Sequence, residues 1–456
     1  MAKVADPKGV AEISARIERL PFSRWHVRAL SVTGTAHFFD AFDSLAIAFS
    51  LPVLVGLWSL TPSEIGLLIS GGYLGQLAGA FFFSWLAQRY GRRPALTWTI
   101  WIVSIFSLAC AVSWNYLSFL IFRLVQGTGL GGEVPVASTY INEVSQARIR
   151  GRMVVLLQTC FALGILICSL IAVWLVPHFG WQSIFLLGAV PAVLAISLRR
   201  ILPESPRWLA ANGRMAEAEA SLDRIETTVA SSSGRELPPI GKIEVVSAEQ
   251  ATGWLQLVSR EYVSRTVFTS IAMLCTSLAG YGLLSWMPTI YKTVYKLSVQ
   301  QALNVSLVGY FAVFLGGLTL ALVVDRIGRR PSFVIGFGMS AVTLVVLSVV
   351  AQTASLEIIV TLVSVGLFFI TFLLTGAYLY AAEIYPTRIR ALGTGLASAW
   401  FRIGSIVGPT IIGLLLTFGT ISTVFLFFAA AAGIGAVTVL ISFVETKGQV
   451  LEKLSH

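Results

Sequence analysis

Charge is what this sequence has least of. Asp, Glu, Lys and Arg make up 12% of its 456 residues, against about a quarter in a soluble globular domain. Histidine and cysteine number four each. Cys110, Cys160, Cys168 and Cys275 all lie in apolar runs, where free cysteine behaves as a small packing residue, so no disulfide framework is implied. His26 and His37 belong to no cysteine or carboxylate spacing of the metal-ligand kind, so neither a metal centre nor metal catalysis is expected. The chain also lacks a glycine-rich loop closing on Gly-Lys-Ser/Thr, which disfavours an ATP-driven pump, and no cofactor is implied.

What the chain has instead is apolar length. Hydrophobic residues make up 56% and the mean hydropathy is +0.81, which excludes disorder and points to lipid as the solvent. One membrane-spanning helix takes about 20 apolar residues. Twelve such runs follow one another, at 26–54, 63–87, 94–113, 115–143, 151–175, 181–201, 264–291, 299–324, 331–350, 355–382, 391–418 and 420–443. A β-barrel would alternate apolar and polar residues, and stretches such as Phe425 to Ala432 do not. The fold class is therefore an all-α membrane protein of twelve transmembrane helices. Residues 7–20 read as a short amphipathic helix on the inner membrane surface.

The basic residues set the orientation. Arg123 and Arg402 fall inside spans, and Lys292 and Lys296 in loops of one side; the other 28 of the 32 stand on the opposite side. Lys and Arg are retained in the cytoplasm, so both termini and the long central loop face inward. The formal charge of +10 is thus a matter of topology and not a nucleic-acid footprint.

An internal repeat divides the chain. Arg89-Tyr90-Gly91-Arg92-Arg93-Pro94 returns as Arg326-Ile327-Gly328-Arg329-Arg330-Pro331 at an offset of 237. Glu143, Arg148 and Arg150 return as Glu383, Arg388 and Arg390 at 240, and Glu204 as Glu445 at 241. The expected organisation is a cytoplasmic N-terminal segment at 1–25 and a six-helix bundle at 26–201. A cytoplasmic linker at 202–263, a second six-helix bundle at 264–443 and a cytoplasmic tail at 444–456 complete it. Parallel repeats of this type form a substrate site near the bilayer midplane and rock about it. A duplicated channel or structural protein is the competing possibility.

In these motifs the chain resembles the major facilitator superfamily over essentially its whole length. The Gly-Arg-Arg loops resemble that family's signature loop, in which a helix-end Asp pairs with Arg to latch a gate. Asp325 matches that acid in the second half, while Gln88 stands in its place in the first. Arg123-Leu124-Val125-Gln126-Gly127 resembles the family's fourth-span motif, often linked to proton coupling. Pro203-Glu204-Ser205-Pro206-Arg207-Trp208-Leu209 and Glu445-Thr446-Lys447-Gly448 resemble segments of sugar porters, organic-ion transporters and synaptic-vesicle-protein relatives. The resemblance implies charge latches between the bundles, made by Arg92, Arg93, Asp325, Arg329, Arg330, Glu143, Arg150, Glu383, Arg390, Glu204, Arg207 and Glu445.

Charges inside the bilayer are costly and are functional candidates by default. Only Asp40, Asp43, Glu133, Arg123 and Arg402 lie well inside spans. His37, Asp40 and Asp43 are spaced by three and are read as one face of the first helix. An acid there that alternates between charged and neutral forms would couple protons to transport, with Asp40 or Asp43 as carrier and His37 and Arg123 as partners. The alternative pairs these acids with Arg123 in a static lock. Glu133, followed by Pro135, would line the cavity beside Gln158.

Arg402 cannot shed its charge, and a fixed cation in a central cavity favours a carboxylate, which it can grip bidentately. Tyr281, Trp286, Tyr378 and Trp400 are candidate aromatic walls. Phe38-Phe39-Asp40-Ala41-Phe42-Asp43 and Gly131-Gly132-Glu133-Val134-Pro135-Val136 resemble bacterial nicotinate (niacin) transporters, with aromatic-acid:proton symporters as neighbours. Sugar porters resemble the chain less, because Gly280-Tyr281-Gly282-Leu283-Leu284 replaces their glutamine-rich seventh-span motif. The resemblance implies uptake of nicotinate, or a benzoate-like acid, by proton symport. It implies a multi-pass protein of the bacterial inner (plasma) membrane, functional as a monomer, whose partners are a small organic anion, protons and lipid. A sensor that binds a solute without moving it would be expected to carry a long signalling tail, and 12 residues follow Val444.

Overall fold

The computed structural model describes residues 7–233, 237–240, 254–385, 387–442 and 444–445. The amphipathic segment forms α1 (Pro7–Glu18), which buries Ile13 and Ile17. The first half then runs through α2 (Arg24–Trp58), α3 (Pro62–Tyr90), α4 (Arg92–Ala111), α5 (Tyr116–Val144) and α6 (Ala147–Phe179). Its sixth span is not continuous: α7 (Gln182–Gly188) and α8 (Ala192–Ile201) are separated around Pro191. A linker with α9 (Pro206–Ala211) and α10 (Met215–Ser233) follows. The second half comprises α11 (Val263–Thr293), α12 (Val299–Ile327), α13 (Arg329–Val350), α14 (Leu356–Ile384), α15 (Thr387–Phe418) and α16 (Ile421–Ser442).

Ten of these helices are long and apolar enough to cross a membrane by length and composition. The two spans outside that set are informative. α5 has the length but carries Arg123, Gln126 and Glu133, and the α7–α8 span is broken. The arrangement is the major facilitator fold, two six-helix pseudo-repeats side by side. Three of the tight turns are fixed by reciprocal caps, Thr61 with Glu64, Asn115 with Ser118 and Ser298 with Gln301. In each, two backbone donors at a helix start are satisfied locally.

Glycine sets the helix spacing. A Cβ on Gly75 or Gly79 of α3 would run into the carbonyls of Leu124 and Thr128, and one on Gly127 or Gly131 of α5 into those of Gly72 and Gln76. The α3–α5 backbones therefore touch, as small residues allow between membrane helices. The same device closes the two halves on each other. Gly66 packs on Pro409 and Thr410, and Gly413 on Pro62 and Ser63.

Among the described residues, side-chain hydrogen bonds across the halves run from the middle of the bundle to the end away from the termini. Ser63 and Thr417 hydroxyls meet at 3.0 Å, and Ser70 Oγ donates to the Ile406 carbonyl at 2.5 Å. Tyr73 and Ser285 hydroxyls lie 3.1 Å apart, and Gln300 Nε2 donates to the Val173 carbonyl at 3.1 Å.

Candidate transport site

The repeat expected from sequence is reproduced in three dimensions at the opposite end of the bundle. Arg92 grips Glu143, its Nη2 2.7 Å from Oε1, and Arg329 grips Glu383 at 2.9 Å. The Arg92 and Arg329 backbone N–H groups donate to Glu204 and Glu445 at 2.9 and 3.0 Å. Arg93 and Arg330 N–H groups complete each cradle at 3.3 and 3.1 Å. Each cradle needs its glycine: Gly91 and Gly328 have φ of 113° and 98°, which L side chains rarely adopt. A Cβ at either would strike the Glu204 or Glu445 carboxylate. Burial pushes the Glu204 carboxyl above its ordinary pKa, while the backbone N–H groups of Ser205, Arg93 and Arg92 pull it down.

These ion pairs correct one expectation. Arg92 and Glu143 belong to the first half and Glu204 to the segment just after it. Arg329 and Glu383 belong to the second half and Glu445 to the segment just after it. The described latches thus tie each half to its own following segment and do not join the halves. Arg207 likewise pairs with Glu18 of α1 at 2.9 Å. The side chains of Arg150, Asp325 and Arg390 lie outside the described residues.

The intramembrane charges form two groups, not one. His37 Nδ1 is 3.1 Å from Glu133 Oε2, and His37 Nε2 is 2.6 Å from Gln158 Oε1. Donor atoms of His37, Asp40 and Glu133 all lie within 4.8 Å of one another, and all three residues are buried. This set draws on α2, α5 and α6. One imidazole and two carboxylates could in principle accept a metal ion. Both ring nitrogens of His37, however, are already engaged by Glu133 and Gln158, which suits a proton network better. Asp40 Oδ1 and Glu133 Oε1 have no partner among the described residues.

Asp43 faces elsewhere. Its Oδ1 accepts from Ser107 Oγ of α4 at 3.1 Å, and a Cβ on Gly188 of α7 would strike it. Arg123 Nη1 donates to the Asp43 carbonyl at 3.1 Å and to Gln126 Oε1 at 2.7 Å, with its guanidinium 5.9 Å from the Phe185 ring. The single-face reading of His37, Asp40 and Asp43 is thereby corrected. Six residues at 3.6 per turn leave Asp43 about 120° around the helix from His37, toward the interior of the first half. The Asp43–Arg123–Gln126 group is a buried tie among α2, α4, α5 and α7.

Arg402 reaches across the interface between the halves. From α15 its Nη1 donates to Gln76 Oε1 of α3 at 3.0 Å, and its Nε has no described partner. Gln76 Nε2 in turn donates to Ser44 Oγ at 3.3 Å, one turn beyond Asp40 on α2. Asp40 and Tyr281 both lie within electrostatic reach of Arg402. Tyr281 stacks edge-on to Tyr73 at 5.3 Å and Phe401 at 5.8 Å, and Tyr378 packs on Phe401 at 5.1 Å. Tyr378 and Trp400 are 41% and 37% exposed.

Trp286 is not a wall of this space. It is 1% exposed and its Nε1 donates to the Pro409 carbonyl at 3.0 Å, so it packs α11 on α15. Sequence reasoning passed over Gln76, Ser44 and Tyr73. A Gln within the small-residue run Gly71-Gly72-Tyr73-Leu74-Gly75-Gln76 carried the signal, since polar side chains in spans mark pathways.

Two like halves, tied within themselves and meeting around a fixed cation and buried acids, define a membrane transporter of the alternating-access class. The comparisons with known proteins agree. The chain matches the "Sugar (and other) transporter" family over residues 31–456 and belongs to that family. The niacin transporter NiaP of Acinetobacter baylyi is 33% identical over 97% of this chain and 99% of its own. The 4-hydroxybenzoate transporter PcaK of the same organism is 30% identical, covering 94% of each chain. Among solved structures, the inward-open xylose transporter XylE of E. coli superposes with a TM-score of 0.73 at 18% identity, covering 94% of this chain and 98% of that one.

Proposed function

We propose that the protein imports nicotinate, or a closely related small aromatic monocarboxylate, by proton symport across the bacterial inner membrane, with both termini cytoplasmic. The observation that carries this reading is Arg402, a permanent cation held by Gln76 at the junction of the halves with Nε unpartnered. A carboxylate on a planar ring can be gripped there while Tyr281, Tyr378 and Trp400 supply aromatic surface. The printed functions of the relatives NiaP and PcaK supply the substrate class, a ring bearing a carboxylate.

Asp40, His37 and Glu133, bridged to Gln158, are the proposed proton site. In this reading Asp43 and Arg123 hold the first half together. The halves, 26–201 and 264–443, rock as units, each braced by its own Arg–Glu–Glu cradle. The hydrogen bonds between halves among the described residues run from mid-bundle to the side away from the termini. With the termini cytoplasmic this supports an inward-facing state, as in the inward-open neighbour. Nothing in the pathway calls for a second copy, and we assign the monomer as the working unit.

The test is uptake of radiolabelled nicotinate into proteoliposomes, with and without an inward proton gradient. Nicotinamide, which keeps the ring and loses the charge, serves as competitor. The expected result is gradient-driven accumulation blocked by unlabelled nicotinate and not by nicotinamide. Equal competition by both would refute the carboxylate site, and accumulation indifferent to the gradient would refute symport.

A further inference from the structure

Well away from the transport site, where α2 and α8 meet the linker, the structure has a cavity of ≈540 Å³. Its walls include Trp25 and Arg28 of α2, Ile201 of α8, and Arg224, Thr227 and Thr228 of α10. We propose that this cavity binds the phosphate headgroup of an anionic phospholipid of the cytoplasmic leaflet. The choice of leaflet rests on the orientation proposed above.

Arg28 and Arg224 both line this one cavity, and neither forms an ion pair with a described residue. Asp223, the carboxylate in the wall, is already held by Arg16 at 2.6 Å. The neighbouring Glu226 is occupied too, by Arg16 at 2.6 Å and Arg19 at 2.9 Å. With the wall's one carboxylate already paired to Arg16, a bound anion would complement Arg28 and Arg224, and Arg presents the planar fork that a phosphate accepts. The Thr227 hydroxyl adds a donor, while that of Thr228 is committed to the Arg224 carbonyl at 2.8 Å.

Location decides between lipid and a free ion. Arg28 sits in the second turn of the first spanning helix and Ile201 at the end of α8. The cavity therefore straddles the depth where headgroups lie, with Trp25 and Ile201 as its apolar side. Tryptophan is enriched at that depth, and basic pockets between helices on the cytoplasmic side suit anionic headgroups. α10 supplies one wall of the cavity, and it is held against the N-terminal helix by Arg16 and Arg19 through Asp223 and Glu226.

The test is lipid retention by the full chain, measured by native mass spectrometry during titration with dioleoyl-phosphatidylglycerol or dioleoyl-phosphatidylcholine. The wild type is expected to hold phosphatidylglycerol at least ~10-fold more tightly. R28Q/R224Q should bring the two lipids to within about twofold, and R28K/R224K should keep most of the preference. Nicotinate uptake by R28Q/R224Q reports that the variant is folded, because neither residue lies in the pathway. Equal affinity for the two lipids in the wild type, or an unchanged preference in R28Q/R224Q, would overturn the site. Displacement of phosphatidylglycerol by millimolar inorganic phosphate would reassign it to a soluble anion and overturn the lipid. Since retention is read without transport or sidedness, its failure is distinct from failure of the proposed function. Labelling of single surface cysteines tests the orientation separately.

Discussion

Replacement of Arg402 is the sharpest perturbation of the proposed mechanism. In the structure its guanidinium is oriented by one hydrogen bond, Nη1 to Gln76 Oε1 at 3.0 Å, and its Nε is unpartnered. At least two N–H donors are therefore available to a carboxylate. Hydrogen bonds to charged groups contribute about 1.5–3 kcal/mol each. A bidentate grip would then contribute ~3–6 kcal/mol, less whatever water recovers in the emptied space. At 1.4 kcal/mol per tenfold, Arg402→Ala should weaken nicotinate binding by roughly 100-fold or more. Arg402→Lys keeps the charge and loses the fork, and should cost on the order of tenfold. Gln76→Ala leaves the cation in place but unsupported, and its effect should be the smallest of the three. Equilibrium binding of radiolabelled nicotinate to purified protein measures all three, with thermal unfolding to show that each variant folds. An Arg402→Ala protein that binds within threefold of wild type would refute the anion site, because Arg402 is the cation to which the reading assigns the carboxylate.

Asp40→Asn and Glu133→Gln should abolish gradient-driven accumulation while preserving counterflow exchange, which moves substrate without net proton movement. Loss of both activities would instead mark these residues as structural. Asp43→Asn should act on stability, lowering the unfolding temperature with little change in the pH dependence of uptake. Cysteines at Ser63 and Thr417, whose hydroxyls are 3.0 Å apart, should cross-link in a background lacking the four native cysteines. Oxidation should then arrest uptake and a reductant restore it, while transport unaffected by a formed cross-link would contradict alternating access.

Glu204 gives a prediction in pH. Its folded pKa is raised, chiefly by burial, so the folded state binds its proton more tightly than the unfolded chain does. Its contribution is present below the unfolded carboxyl pKa and is lost as pH rises through the folded value. Glu204→Gln should therefore flatten the dependence of unfolding temperature on pH above about 4.3, the ordinary glutamate value. An unchanged slope would refute the assignment.

The class of protein was legible in the sequence because the bilayer imposes simple rules. A span must be long and apolar, its backbone satisfied within the helix, and loops on the cytoplasmic side must be basic. Those rules yield twelve spans and, from residues such as Gly91 and Gly328, a repeat whose three-dimensional cradles match closely. The charged candidates were legible for the same reason, since Asp40, Glu133 and Arg402 stand out against apolar neighbours.

Which of them meet was not legible. Spacing along α2 gathered His37, Asp40 and Asp43, but helix rotation sends Asp43 to Ser107 and Arg123 while His37 turns to Glu133 and Gln158, residues 96 and 121 positions away. Likewise the motifs around Arg92 and Arg329 predict latches, and only packing decides that each closes within its own half. Gln76 carried no charge to draw notice until α3 and α15 were brought together by Gly66 and Gly413 and set it against Arg402. A sequence records what each residue can do in lipid. The partners of buried polar groups are chosen by helix rotation and close approach, which arise only when the halves are assembled.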